Sequence, residues 1–162
     1  MTRDPITEAH RQWVAHGWAG AADGMAMVTS VVRAQQLLLE RIDAVLRPRG
    51  LTFARYEVLR LLSFTRDAAM PMSRLGSLLQ VHPTSVTSAV DRLVAQGYVE
   101  RVRGDADRRV VRAVLTDPGR AAVEEATAAL NSEVFETPGL PEVEVQALTA
   151  RLTALRAGLG DD

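Results

Sequence analysis

Residues 71–119 restrict the fold of this chain more than any other stretch. They read PMSRLGSLLQVHPTSVTSAVDRLVAQGYVERVRGDADRRVVRAVLTDPG. A short apolar helical pattern, a tight turn and a second helical pattern with a polar outer face come first. An arginine-tipped hairpin pattern follows without a gap. The second helical pattern is legible residue by residue. Pro83 has φ fixed near the helical value and no N–H to leave unsatisfied, so it suits the first helical position. That puts His82 at the cap, where Ser, Thr, Asp or Asn would be the stronger choice. Val86, Ala89, Val90, Leu93 and Val94 recur at spacings of three and four and form one apolar stripe. Gly97 closes the helix as a residue free to turn left-handed.

At about 100° per residue, Thr84, Ser88, Asp91, Arg92 and Ala95 point away from that stripe, with Ser85 and Thr87 on its shoulders. Hydroxyls near a helix start are small enough to approach base edges or phosphates. A helix N-terminus also carries free N–H groups and partial positive charge that favour phosphate. Taken alone, these residues read first as the solvated face of an amphipathic helix, since such helices are common.

The hairpin shifts that balance. Tyr98, Val99 and Val102 form one β-prone run, and Val110, Val111, Val114 and Leu115 form another. Gly104-Asp105-Ala106-Asp107-Arg108 joins them as a turn. Arg101, Arg103, Arg108, Arg109 and Arg112 all fall in this hairpin. An arginine at a loop tip suits the negative potential of a DNA minor groove. Asp107 is placed to clamp a neighbouring arginine by a bidentate pair. Asp105 and Asp107 do not make a metal site, because no third or fourth ligand stands at a suitable spacing and Arg108 and Arg109 adjoin them.

These residues resemble the winged helix–turn–helix of the MarR family of bacterial transcription regulators. The match runs from Leu51-Thr52, Val58-Leu59 and Leu62 through Leu75, Leu79 and HPTSVTSAVDRLVAQGYVER. It continues through Asp107-Arg108-Arg109 to Leu115-Thr116-x-x-Gly119-Arg120, and covers roughly 51–125. The resemblance implies a mainly α fold with a small β-hairpin wing. A winged lobe over 51–115 would sit with N-terminal helices over 1–48 and C-terminal helices over 116–162 that form a dimerisation lobe. It implies that the helix beginning at Pro83 enters the major groove of double-stranded operator DNA. Pro83, Thr84, Ser85, Thr87, Ser88 and Arg92 would then be the contacting set. Arg109 would enter the minor groove, supported by Asp107, with Arg108 beside it. His82 departs from the usual Ser or Asp cap. No long bidentate reader stands early in the helix, so the base preference is not decodable.

Charge distribution agrees with one DNA-facing surface. The chain of 162 residues has a net charge of −1. Residues 66–112 carry eight arginines against five acids, a net +3, whereas residues 113–162 carry three against nine, a net −6. Residues 1–65 carry eight arginines against six acids, a net +2. The cysteine count is 0, so disulfides and thiol redox sensing are excluded. No stretch is long and apolar enough to span a bilayer and no signal-peptide pattern opens the chain, so the expected location is the cytoplasm. No phosphate loop, HExxH, GxSxG or cysteine nucleophile is present, which argues against an enzyme. No cofactor is expected.

Outside the core motif, residues 23–46 read as a long helix and Thr52 to Leu62 as another. Thr116 resembles the cap of a helix running to about Val134, Pro138, Gly139 and Pro141 break it, and Glu142 to Leu159 gives the last. The segment DPITEAHRQWVAHGWAG suits a short extra helix whose Trp13 and Trp18 should pack on something. His10 and His16, six apart, do not share a helix face and read as packing or surface residues rather than metal ligands. A winged core leaves the outer helices without a partner inside one subunit, so an isologous homodimer is expected, on a pseudo-palindromic operator. The resemblance further implies a small aromatic or phenolic effector where the winged lobe meets the dimer helices, with Arg55 and Tyr56 as candidate contacts. The competing reading is a winged-helix protein-interaction module that does not bind DNA.

Overall fold

The computed structural model describes residues 4–79 and 83–161, the side chains of Pro83 and Thr84 excepted. The His82 cap and the side-chain roles of Pro83 and Thr84 therefore lie outside the described residues. The chain divides into two compact units, 1–44 and 45–162.

In the first unit, α1 (Pro5–Ala15) starts on Asp4, whose carboxylate accepts the Thr7 N–H at 3.0 Å. Proline at the first position and an aspartate cap are the strongest start signals a helix can carry. A turn through Gly17 (φ +86°) leads into α2 (Ala19–Leu46), 28 residues long. Trp13 and Trp18 meet edge to face with ring centroids 5.4 Å apart, and the His16 ring stacks on Trp18 at 5.8 Å. Trp18 nevertheless stays half exposed. His10 Nε2 lies 2.8 Å from Asp23 Oδ1, and no group of three or more metal-ligating side chains occurs among the described residues. Met27, Val28, Val31, Val32, Leu37, Leu38 and Leu39 of α2 are all exposed.

The second unit is built around α3 (Phe53–Phe64). A 3-10 turn, Arg47–Arg49, ends at Gly50 (φ +69°), and Thr52 then caps α3 by accepting the Arg55 N–H at 3.3 Å. Val58, Leu59 and Leu62 of α3 are fully buried, each apolar side chain contributing roughly 1.5–3 kcal/mol on burial. They are covered by α4 (Met72–Leu79), α5 (Pro83–Ala95) and α6 (Asp117–Leu130). Leu75, Val90, Leu93, Val123 and Leu130 complete this core.

The sheet has three antiparallel strands in the order β1-β3-β2: β1 (Ala69–Pro71), β2 (Val99–Arg103) and β3 (Val111–Leu115). Ala113 at its centre pairs with Met70 on one side and Arg101 on the other. The β2–β3 pair is the expected hairpin, while β1 was not anticipated from the sequence. It lies on an edge, which is where a strand containing Pro71 is tolerated.

The Leu115-Thr116-x-x-Gly119 pattern has a packing cause. Thr116 caps α6 by accepting the Gly119 N–H at 3.1 Å, and its hydroxyl donates to the Gly97 carbonyl at 2.7 Å. The first turn of α6 rests so closely on the Tyr98 carbonyl that a Cβ at position 119 would lie 2.1 Å from that oxygen. A π-turn, Asn131–Phe135, extends α6, and α7 (Glu142–Gly158) follows with no buried residue.

Candidate nucleic-acid interface

The apolar stripe of α5 is inserted as its spacing requires: Val86, Ala89, Val90 and Leu93 are buried. Val94, assigned to the same stripe, is 37% exposed and sits at its edge. Gly97 takes φ +77° and ends the helix. Ser85, Thr87, Ser88, Asp91 and Arg92 are exposed. The helix therefore presents hydroxyls and one guanidinium on a firmly anchored rod.

The hairpin tip is a folded turn. Gly104 N–H donates to the Val110 carbonyl at 2.9 Å, and Val110 N–H donates to the Asp107 carbonyl at 3.1 Å. A Cβ on Gly104 would lie 3.0 Å from the Asp107 carbonyl oxygen, so a side chain there would push the turn apart by a few tenths of an ångström. Asp107 Oδ1 accepts the backbone N–H of Arg109 at 2.9 Å. The expected bidentate pair with a guanidinium does not occur among the described residues; the carboxylate shapes the backbone instead, as aspartates in turns do. Arg108 and Arg109 are exposed at this tip and make no ion pair among the described residues.

The five hairpin arginines divide into two kinds. Arg101 Nη1 lies 2.5 Å from Asp91 Oδ1 and ties β2 to α5. Arg112 Nη2 lies 2.7 Å from Asp67 Oδ2 and ties β3 to the loop before β1. That hydrogen bond holds the Asp67 carboxyl below its ordinary range. Arg103, Arg108 and Arg109 are left pointing to solvent.

Two cavities flank α3, and they separate the neighbours Arg55 and Tyr56. Tyr56, buried and with its hydroxyl 3.0 Å from Thr127 Oγ1, lines an apolar pocket of about 210 Å³. Phe53, Leu61, Leu78, Leu79 and Phe135 share that pocket, with Glu57 and Arg60 as its charged members. Burial pushes the Glu57 carboxyl above its ordinary value. Arg60 spans to α6, with Nη2 3.1 Å from Glu124 Oε1, and lies over the Phe64 ring at 4.5 Å. Arg55 lines a different, polar cleft of about 460 Å³ with Thr52, Ser85, Ser88 and Arg92.

Residues 49–110 match the sequence profile of the MarR family. The solved structure of Sco5413 from Streptomyces coelicolor, a MarR family transcriptional regulator, is 45% identical and superposes with a TM-score of 0.77. The likeness covers 86% of this chain and 96% of that one. This chain belongs to the MarR family of transcriptional regulators. The chain is also similar to the HTH-type transcriptional repressor MdtR of Bacillus subtilis, 30% identical over 94 residues that make up 58% of this chain and 59% of MdtR. A further similar structure is that of a transcriptional repressor, CouR, bound to a 23-mer DNA duplex. CouR is 26% identical with a TM-score of 0.71, over 78% of this chain and 89% of that one. Among the described residues no helix is long and apolar enough to cross a membrane.

Proposed function

We propose that this MarR-family chain is a cytoplasmic, ligand-responsive repressor that binds a pseudo-palindromic operator as a homodimer. The observation that carries the reading is the pairing of two exposed, internally braced elements on one lobe. The α5 face bears Ser85, Thr87, Ser88 and Arg92, and the folded tip bears Arg108 and Arg109. In this reading α5, with Pro83 and Thr84 at its start, enters the major groove and Arg109 enters the minor groove, with Asp107 fixing the turn that carries it. Blocking polymerase at the operator would make the protein a repressor, the role by which MdtR and CouR are named.

The homodimer rests on the exposed apolar residues of α2 and on Val143, Leu148 and Leu152 of α7, a helix with no buried residue. Large exposed apolar patches mark interaction sites. The outer segments 1–48 and 116–162 supply the dimerisation lobe, and 51–115 meets DNA. A small aromatic or phenolic effector fits the apolar pocket, where Phe53, Tyr56 and Phe135 offer ring faces. It alters operator affinity only by its differential affinity for DNA-bound and free arrangements.

Footprinting on the intergenic DNA upstream of the chain's own reading frame tests the reading. A protected inverted repeat is expected. Arg109→Ala should weaken binding to that duplex by about 1–3 kcal/mol, the scale of one specific contact. An unchanged affinity in that variant would overturn the wing assignment.

A further inference from the structure

The polar cleft between α3 and α5 has an unusual charge balance. Its lining residues include two guanidinium groups, Arg55 and Arg92, three hydroxyls, Thr52, Ser85 and Ser88, and no carboxylate. Elsewhere in this lobe the partly buried arginines stand on acids: Arg49 on Glu125, Arg60 on Glu124, Arg101 on Asp91 and Arg112 on Asp67. Arg55 is held by neutral acceptors alone. Its Nε donates to Thr52 Oγ1 at 3.2 Å, and its Nη1 donates to the Gly50 carbonyl at 3.1 Å and to Gln96 Oε1 at 3.2 Å. Gln96 Nε2 closes the ring by donating to the same Gly50 carbonyl at 2.7 Å. The side chain is thus oriented while its charge is left without an anion, and Arg92 has no ion pair among the described residues.

We propose that this cleft seats one phosphate of the DNA backbone, gripped by Arg55 from α3 and Arg92 from α5. Ser85, Ser88 and Arg92 recur at spacings of three and four, so they form one stripe of α5 facing this cleft. That stripe meets the sugar–phosphate strand at the groove edge, and base reading falls to the adjoining stripe that contains Thr87 and Asp91. Ser88 then contributes to affinity for any sequence rather than to choice among sequences. A guanidinium pre-oriented by neutral partners loses little freedom on meeting phosphate, and its planar fork matches two phosphate oxygens.

The inference rests on the reading of the chain as a duplex-DNA binder, and the test separates the two. Fluorescence anisotropy with a labelled duplex spanning the protected sequence, titrated with KCl, gives the slope of log affinity against log salt. Wild-type protein that fails to bind any duplex overturns the DNA reading itself. If wild type binds, Arg55→Gln should shallow the slope by about 0.9 for each half-site, while Arg55→Lys, which keeps the charge, should retain it. Gln96→Ala, which opens the ring but removes no charge, should also retain it. A wild-type slope in Arg55→Gln, or an equal loss in Gln96→Ala, overturns the phosphate seat. A second measurement needs no change at position 55. Neutral methylphosphonates placed singly along the duplex should reveal one position per half-site whose penalty is much smaller for the exposed-site variant Arg92→Gln than for wild type. No such position would sink the proposal.

Discussion

Gly119→Ala isolates the packing of α6 on the winged lobe. A Cβ there would lie 2.1 Å from the Tyr98 carbonyl oxygen, whereas real Cβ contacts stay beyond 3.0 Å, so something must shift by about 0.9 Å. The obstacle is backbone, held by the Thr116 N–H at 3.1 Å and followed directly by β2. Overpacking of this kind costs roughly 1–3 kcal/mol, and an immovable neighbour puts it at the upper end. Alanine returns up to about 1 kcal/mol over glycine in a helix. The net loss is then about 1–2 kcal/mol. Gly76→Ala supplies the contrast within the same lobe. It sits inside α4, its added methyl would meet Val86 Cγ2 at an ordinary 3.9 Å, and the same helix preference should stabilise it by about 0.5–1 kcal/mol. Urea unfolding at one fixed protein concentration should move the two midpoints in opposite directions with an unchanged slope. If Gly119→Ala proves as stable as Gly76→Ala, the close approach of α6 to the wing base is not what requires glycine at 119.

Two further outcomes follow from the geometry. The Arg112 hydrogen bond lowers the Asp67 carboxyl from its ordinary 3.8, so its stabilisation is present above that value and lost as pH falls through the lower folded-state value. The stability gap between wild type and Asp67→Asn should therefore be widest well above 3.8 and narrow as pH falls below it; a gap that does not change with pH would contradict the assignment. Leu38 is an exposed apolar residue of α2, and in an isologous interface any substitution appears twice. Wild type should sediment as a dimer at micromolar concentration and Leu38→Glu as a monomer, whereas a monomeric wild type would refute the dimer.

Legibility in the sequence followed the range of the forces involved. The α5 stripe, Gly97 at its end, the Thr116 cap and the β2–β3 hairpin are local patterns, and each is where its residues imply. The misses are non-local. β1 is three residues ending in proline, and only its pairing with β3, more than forty positions later, makes it a strand. Asp107 is followed in sequence by two arginines, yet the turn aims its oxygen at a backbone N–H. Arg55 and Tyr56 are adjacent, and a helix sends adjacent side chains about 100° apart, so they serve separate cavities. The acid-free cleft could not be seen at all, because Gly50, Arg55 and Gln96 meet only after α3 and α5 have packed.

The ion pair between Asp91 and Arg101 ties α5 to the stem of the hairpin. If the proposed dimer forms on DNA, the two elements of each subunit would then travel as one piece. An effector would act in that case by changing the span between subunits, leaving the fit within each one as it is.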